Sequence, residues 1–276
     1  DFPELAAAIE DRIQVVQGDI TESRFGLNEV SYHELTSKIT HIIHMAADVR
    51  FGVSIDTLRT TNVHGTENVL EIARDVHHDH GLIRFSHVST AYVAGGRTGE
   101  IPENTPTDEQ GFLSPYERSK YESELLVQAV KGEFPVSIFR PGMIVGDTRT
   151  GYIKTFNTLY FPLRLYMTGR LKVFPFSSSL RINLVPVDYV ADTVVRLSFD
   201  PRAEGMTFHL TAPFESLPTA GEAILFVRNW TRERLGITLP RPWHIPIPLA
   251  VIRRWLQVQK AFCLKQIDLL NALHSL

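Results

Sequence analysis

A single cysteine, Cys263, occurs among the 276 residues, so the chain cannot form a disulfide within itself. Such a composition is typical of the reducing cytosol, and we expect a cytoplasmic location. Long apolar runs are lacking as well. A membrane-spanning helix needs about 20 predominantly apolar residues. The best candidate for such a helix, residues 152–171, is interrupted by Lys154, Arg164 and Arg170. The sequence therefore predicts no membrane-spanning helix.

The chain also has no excess of positive charge, since its formal net charge is −3. A broad surface for nucleic acid is therefore not expected. The first residues, Asp-Phe-Pro-Glu-Leu, lack the basic start and the apolar body of a signal peptide. What the chain does contain, 43% hydrophobic and 21% charged residues, is the composition of a globular protein with a deep core.

Short apolar runs alternate with longer segments of helical periodicity. The predicted strands, each expected to be buried on both faces, are residues 13–17, 41–45, 83–89 and 136–140. The helices predicted between them are residues 61–75 and 115–130. Alternation of this kind predicts an α/β fold with a doubly wound, parallel, Rossmann-type sheet.

The pattern changes in the second half of the chain. Residues 155–171 predict a helix that is kinked or broken at Pro162. Its aromatic and aliphatic side chains either pack in a core or line an acyl tunnel. Residues 77–80, His-His-Asp-His, allow a metal cluster or a polar loop, and we interpret them as a loop because adjacent ligands without a second cluster suit no zinc site.

Two regions are expected from this pattern. Residues 1–199 are assigned to a dinucleotide-binding domain, with residues 149–181 on its substrate side, and residues 200–276 to a smaller, mostly helical substrate-binding or lid region. Within the latter, residues 240–276 form a basic amphipathic tail. This tail is either a solvated face or a contact for a membrane surface or for the phosphates of coenzyme A.

The most informative motif is Tyr-x-x-x-Lys, formed by Tyr116 and Lys120. Residues four apart lie on one helix face, so the ammonium is expected beside the phenol, where it would lower the phenol pKa toward that of a working acid/base catalyst. A chance pair on a solvated helix is the alternative. Two hydroxyls, Ser89 and Thr90, end the preceding predicted strand, where ligands of open α/β sheets bind.

Three further segments stand in a fixed order before this motif: Val-Gln-Gly-Asp-Ile, His-Ile-Ile-His-Met-Ala-Ala and Thr-Asn-Val-His-Gly-Thr-Glu-Asn. With them, residues 13–211 resemble the extended short-chain dehydrogenase/reductases and, within these, the fatty acyl-CoA reductase and thioester reductase branch. The segments that point to this branch are residues 18–27, 44–51, 139–146 and 183–190.

The resemblance implies a catalytic triad of Thr90, Tyr116 and Lys120, a nicotinamide cofactor and no metal. The expected cofactor is NADPH, with NAD as the alternative. Asp19 and Ile20 would flank the adenine, Ala46 and Ala47 would line the cofactor cleft with Asn62 behind them, and Pro141 and Met143 would lie beside the nicotinamide, while Ser89, Tyr116 and Lys120 complete the cofactor-binding set.

One part of the family pattern is lacking. Extended members open with a strand, a Gly-x-x-Gly-x-x-Gly turn, a helix and a second strand, and this sequence contains none of these. The turn holds the pyrophosphate of the cofactor, and its strand lies beside the one predicted at residues 41–45. We therefore expect about 60–80 further residues upstream, enough for a strand–helix–strand unit.

The implied reaction is reduction of an acyl thioester, carried by coenzyme A or an acyl carrier protein, to an aldehyde and, with a second hydride, to an alcohol. One alternative is a nucleotide-sugar epimerase or dehydratase, and another is a non-catalytic protein that senses the cofactor. A dehydratase would need an acidic pair after Thr90, where Ala91 and Tyr92 stand. A sensing protein commonly lacks the Tyr or the Lys, and both are present.

Overall fold

The computed structural model describes residues 12–50, 52–154 and 159–245. A main sheet of four parallel strands has the order β1-β2-β3-β7, and two smaller parallel pairs are β4–β6 and β5–β8. The strands are β1 (His41–His44), β2 (Arg84–Val88), β3 (Val136–Pro141), β4 (Met143–Val145), β5 (Val173–Phe174), β6 (Leu184–Pro186), β7 (Thr207–Leu210) and β8 (Trp243–His244).

Helices cover both faces of the main sheet, which confirms the doubly wound α/β fold. A π-helical segment, Thr60–His64, joins the second helix to the third, so this part of the chain is helical well beyond the predicted residues 61–75. The α-helices are α1 (Glu29–Thr36), α2 (Ile55–Arg59), α3 (Gly65–His80), α4 (Pro115–Ala129), α5 (Tyr160–Met167), α6 (Val187–Ser198) and α7 (Ala220–Leu235).

Two apolar layers enclose the main sheet because neighbouring strand residues point to opposite faces. Ile138 packs in the layer that α3 and α4 cover, whereas Phe139 packs in the layer that α6 covers. Both side chains are fully buried. Burial of this kind on both faces explains why the strands read as continuous apolar runs rather than as alternating ones.

Local signals set the start of the helix that carries the Tyr-x-x-x-Lys motif. The Ser114 hydroxyl accepts from the backbone N–H of Glu117 at 3.3 Å, and Pro115 occupies the first helical position, where no N–H is needed. The carboxylate of Glu117 in turn accepts from the N–H of Leu113 at 2.7 Å. These bonds give α4 a defined first turn, and Tyr116 lies in it.

The chain divides into two compact units. The first comprises Asp1–Tyr152 and Leu184–Ala212 and contains the main sheet, and the second comprises Ile153–Asn183 and Pro213–Leu276. Within the second unit, Tyr166, Phe174, Ile224 and Leu239 form a small core of their own. The domain boundary at residue 199 and the substrate roles of residues 149–181 and 200–276 stay predictions.

One predicted strand is wrong. Residues 13–17 form no strand, and Ile13, Val15 and Val16 are 57%, 88% and 42% exposed. A strand needs hydrogen-bonding partners on a neighbouring strand, and residues 13–17 pair with none of the described strands. The apolar composition of this segment therefore does not suffice to form a strand here.

Two helix predictions also need correction. The helix predicted at residues 155–171 is shorter than expected, since α5 spans Tyr160–Met167 and residues 155–158 lie outside the described residues. Pro162 lies in the first turn of α5 and does not break it, because the missing N–H costs nothing there. The interpretation of residues 77–80 as a loop is wrong too, since they form the last turn of α3, which Gly81 ends at φ 91°. No helix in the described residues is both long and apolar enough to cross a membrane. The basic tail beyond residue 245 and Cys263 lie outside the described residues.

Candidate active site

The end of β2 and the first turns of α4 bring together the three residues predicted to be catalytic. Thr90 follows β2 and is buried, and a hydrogen bond joins its side chain to the Tyr116 hydroxyl. Lys120, one helical turn after Tyr116, is also buried, and its Nζ donates to the carbonyl oxygen of Val88 at 3.0 Å. All three side chains thus lie at the carboxyl edge of the parallel sheet, where ligands bind in such folds.

Thr90 is held between the end of a strand and a short 3-10 turn, Ala91–Ala94. Its hydroxyl accepts from the backbone N–H of Tyr92 at 3.3 Å and lies 3.5 Å from the carbonyl oxygen of Pro141. Pro141 ends β3 and is buried, and Met143, which opens β4, is half-buried. The structure therefore places Pro141 next to the candidate catalytic hydroxyl and Met143 two residues further along.

Burial raises the pKa of Tyr116 to about 12, and the hydrogen bond with Thr90 opposes that rise. The prediction that Lys120 lowers the pKa of this phenol is wrong in this structure, because the ammonium bonds to the Val88 carbonyl and burial dominates. Tyr116 is consequently protonated at neutral pH, which is the state that a proton donor needs.

The ammonium of Lys120 is itself affected by burial. Burial lowers the pKa of Lys120 to about 8, and the negative charge of Glu124 opposes this shift. Below that pH the side chain is mainly an ammonium, and above it mainly a neutral amine. An ammonium has three N–H groups, so it can bind an oxygen of a ligand in addition to the Val88 carbonyl.

Asn62, in the π-helical segment, fixes the turn that follows β1. Its Oδ1 accepts from the backbone N–H of Asp48 at 2.7 Å, and its Nδ2 donates to the carbonyl oxygen of Asp48 at 3.0 Å. The same Nδ2 donates to Ser119 Oγ on α4 at 2.9 Å. Ala46 is exposed and Ala47 half-buried in this turn, so the predicted cofactor-lining residues are held from behind by Asn62.

Asp19 and Ile20 lie in a turn on the surface of α3. The Asp19 carboxylate accepts from the backbone N–H and the hydroxyl of Thr21, both at 2.8 Å, and these bonds lower its pKa. Asn68 Nδ2 donates to the carbonyl oxygen of Ile20 at 2.8 Å. A Cβ on Gly65 would lie 2.8 Å from Ile20 Cδ1, so glycine permits this close approach.

Ser89 is buried beside Thr90, but its hydroxyl donates to a carboxylate inside the protein, Glu124 Oε2, at 2.6 Å. The structure therefore brings Ser89, Thr90, Tyr116 and Lys120 together. Roles in catalysis and cofactor binding stay predictions for all of these residues and for those described above.

The NAD-binding family described as Male sterility protein matches residues 2–194. The chain belongs to this family. Its fold is that of the extended short-chain dehydrogenase/reductases, as the resemblance implied. The match covers β1, β2, β3 and α4, and hence all of the predicted site residues.

Individual proteins similar to this chain include a nonribosomal peptide synthetase and a fatty acyl-CoA reductase. It is 33% identical over 217 residues to the nonribosomal peptide synthetase asaC of Aspergillus flavus, covering 72% of this chain and 20% of that protein. It is 24% identical over 214 residues to the fatty acyl-CoA reductase wat of Drosophila melanogaster, covering 68% of this chain and 41% of that protein.

A solved structure supports the same assignment. The terminal R domain from the myxalamid PKS-NRPS biosynthetic pathway is 29% identical and superposes with a TM-score of 0.73, over 92% of this chain and 60% of that one. The chain thus spans only part of each of these three proteins. It is a member of an NAD(P)-dependent reductase family.

The groups at the carboxyl edge fit a nicotinamide dinucleotide. Among the described residues, the one hydrogen bond of the buried Lys120 ammonium is to a main-chain carbonyl, so N–H groups are available for ribose hydroxyls. Tyr116 offers a protonated phenol, and Ala46 offers a side chain small enough for close approach of a ligand. Among the described residues, no three His, Cys, Asp or Glu side chains lie where they could hold a metal ion.

Sequence reasoning missed four buried polar residues around the candidate active site. His44 and His87, in β1 and β2, have ring centroids 5.3 Å apart. Glu124 and Arg140 form an ion pair that is fully buried. Glu124 had a readable signal, because it continues the four-residue spacing of Tyr116 and Lys120 along α4. The sequence contains no such signal for His44, His87 and Arg140. A histidine or arginine within an apolar run does not reveal which distant residue it will contact.

Proposed function

We propose that the chain is the catalytic core of an NADPH-dependent reductase that acts on acyl thioesters. The observation that carries the proposal is the placement of Tyr116 and Lys120, from one face of α4, at the end of β2 beside Thr90. The names of the relatives support the substrate class, since one is a fatty acyl-CoA reductase and another a nonribosomal peptide synthetase.

The cofactor would supply a hydride to the carbonyl carbon of the thioester. Tyr116, neutral at physiological pH, would donate a hydrogen bond and then its proton to the carbonyl oxygen as negative charge develops there. The Thr90 hydroxyl would donate a second hydrogen bond. Preorganised donors of this kind contribute about 2.7–4 kcal/mol each to stabilisation of the transition state.

Lys120 would hold the cofactor rather than tune the phenol. Its ammonium lies beside the end of β2 and would bind the hydroxyls of the nicotinamide ribose. Ser89, Pro141 and Met143 would complete the nicotinamide side. On the adenine side, Asp19 and Ile20 would flank the base, and Ala46 and Ala47, supported by Asn62, would line the cleft between.

The thiol of coenzyme A or of an acyl carrier protein would leave after the first hydride transfer, when the protonated tetrahedral adduct collapses to an aldehyde. A second hydride, which a second NADPH would supply, together with a second proton from a reprotonated Tyr116, would reduce the aldehyde to the alcohol. Both carriers present the same thioester group, so the site itself serves either one.

The test is cofactor oxidation by the full-length protein. NADPH and NADH are each offered with a long-chain acyl-CoA, with the same acyl group on a carrier protein, and with a nucleotide sugar. Turnover with either thioester, and faster with NADPH, is the expected result. Turnover of the nucleotide sugar together with no turnover of thioesters would overturn the proposal.

A further inference from the structure

Three residues spaced four apart on α4 hold three consecutive residues at the end of β2. Lys120 donates to the Val88 carbonyl, and Tyr116 is hydrogen-bonded to Thr90. The third contact comes from Glu124, whose Oε2 accepts from the hydroxyl of Ser89 at 2.6 Å. Ser89 lies between the two residues already assigned to the site. Glu124 therefore holds the side chain of the residue that leads directly into Thr90, and the backbone N–H of Ser89 also donates to the carbonyl oxygen of Phe139 at 2.7 Å.

The carboxylate of Glu124 is tied on its other side to Arg140 of β3. The guanidinium reaches both carboxylate oxygens through Nε at 3.2 Å and donates from one terminal nitrogen to Oε1 at 2.6 Å. That nitrogen also donates to the carbonyl oxygen of Asn104 at 2.5 Å, and the other lies 3.2 Å from His209 Nε2. One carboxylate thus joins the end of β2 to β3 and, through the guanidinium, to the loop before α4 and to β7.

Stability alone does not account for this arrangement. Both side chains are completely buried, and removing two charges from water costs as much free energy as their attraction returns, so well-packed apolar residues of similar volume are often equally stable or more so. What apolar residues cannot supply is a hydrogen bond to the Ser89 hydroxyl or a negative charge near a buried ammonium.

The charge of Glu124 matters because the other titratable groups that interact with Lys120 are not negatively charged. His44 of β1 and His87 of β2 both interact electrostatically with Lys120, and burial lowers the pKa of each imidazole below its ordinary value. Tyr116, on the same helix, is neutral at physiological pH. Arg140 of β3 carries the opposite charge to Glu124 and is bonded to it. Glu124 lies one helical turn after Lys120 on α4, and its negative charge favours the charged form of Lys120.

We propose that Glu124 is a positioning residue of this site, which fixes the Thr90 hydroxyl through the side chain of Ser89 and keeps the buried Lys120 charged for cofactor binding. The inference rests on the proposed function for the role of Thr90 in turnover. The charge of Lys120 is measurable without turnover, so the two proposals can fail separately.

Ser89→Ala removes the hydrogen bond and leaves the carboxylate in place. Since a misplaced catalytic group costs up to about 100-fold in rate, kcat for the thioester should fall about 10- to 100-fold. The titration of Lys120 should stay as in the wild type. A wild-type kcat in Ser89→Ala would overturn the positioning of Thr90 by Glu124.

Glu124→Gln keeps an oxygen that accepts from Ser89 and removes the charge. In the cofactor-free full-length protein, the midpoint of the Lys120 titration, followed by NMR of its ¹³Cε, should move about one pH unit lower. The pH above which NADPH binding weakens, measured by cofactor fluorescence, should move in the same direction. If Glu124→Gln does not fold, Glu124→Gln with Arg140→Met removes both charges and serves for the same titration.

The matched control is Glu122→Gln on the same helix. Glu122 also pairs with arginines, with Arg59 through two bonds of 2.7 Å and with Arg118 at 3.0 Å, but it is half-buried, and none of its hydrogen-bond partners in the described part of the chain is a site residue. It should leave kcat and the Lys120 titration unchanged. An unchanged Lys120 titration in the Glu124 variants would overturn the charge role. A wild-type protein that turns over no thioester would overturn the proposed function instead, and the Lys120 titration would still decide the role of Glu124.

Discussion

The end of β2 and the turn at Asp19 and Ile20, which follows residues 13–17, are both predicted to contact the cofactor, yet the structure holds the two segments very differently. At the end of β2, Ser89 and Thr90 are buried and bonded to side chains of α4. Residues 13–17 pair with no described strand, and Val15 is 88% exposed. At Ile20, the side chain of Asn68 from α3 bonds to the backbone of the turn.

The difference shows where the positioning of each half of the site originates. The catalytic half, at the end of β2, lies between a neighbouring parallel strand and α4, and side chains of α4 bond to it. The adenine half depends on a turn and one side-chain amide. Substitutions at the end of β2 should therefore have much larger effects than substitutions around Asp19 and Ile20.

Tyr116→Phe should cause the largest change, because it removes the proton donor and keeps the ring. A positioned acid contributes about 100- to 10,000-fold to the rate, and kcat for thioester reduction should fall by that factor. NADPH oxidation measures it. Tyr121→Phe is the matched control, since Tyr121 lies on the same helix and packs against Phe112. Equal rates in Tyr116→Phe and Tyr121→Phe would contradict the assignment of Tyr116.

Arg140→Met tests the buried pair behind the catalytic half. It leaves the Glu124 carboxylate buried without its cation, which should cost about 3–5 kcal/mol of the free energy of unfolding. Urea denaturation measures the loss. The double variant with Glu124→Gln should regain most of it, because no charge is then left unpaired. A loss below about 1 kcal/mol in the free energy of unfolding of Arg140→Met would show that the ion pair does not stabilise this part of the fold.

His44 should make the catalytic half sensitive to acid. Burial lowers the pKa of His44 to about 4, below its ordinary value of 6.5, so the unfolded chain binds more protons between these values and stability is lost as the pH falls through this range. The contribution is on the order of 3 kcal/mol. The free energy of unfolding, measured at several pH values, should fall less steeply with decreasing pH in His44→Gln than in the wild type. An unchanged slope would rule out His44 as a source of this sensitivity.

Asn68→Ala should have the smallest effect. It removes the 2.8 Å hydrogen bond to the Ile20 carbonyl, which contributes about 1 kcal/mol. We expect a drop of this size in the free energy of unfolding and a few-fold weaker cofactor binding, with kcat unchanged. A loss as large as that of Arg140→Met would mean that the two halves of the site are equally well anchored.

Much of the fold was predictable from the sequence. The strands at residues 41–45, 83–89 and 136–140 and the helix at 115–130 lie within one residue of their observed ends, because buried parallel strands and a capped helix leave strong local patterns. The strand predicted at residues 13–17 was wrong, since pairing is not a local property. In the same way, the four-residue spacing predicted that Tyr116 and Lys120 share a helix face, but not where the ammonium points.

The sequence by itself determined the alternation of strands and helices, the membership of a reductase family and the set of residues at the carboxyl edge of the sheet. Tertiary structure alone decided that Lys120 bonds to the Val88 carbonyl, that Tyr116 is a neutral phenol and that Glu124 and Arg140 are buried together. The physical reason is that pKa values and ion pairs depend on burial and on partners distant in sequence, which no local pattern records.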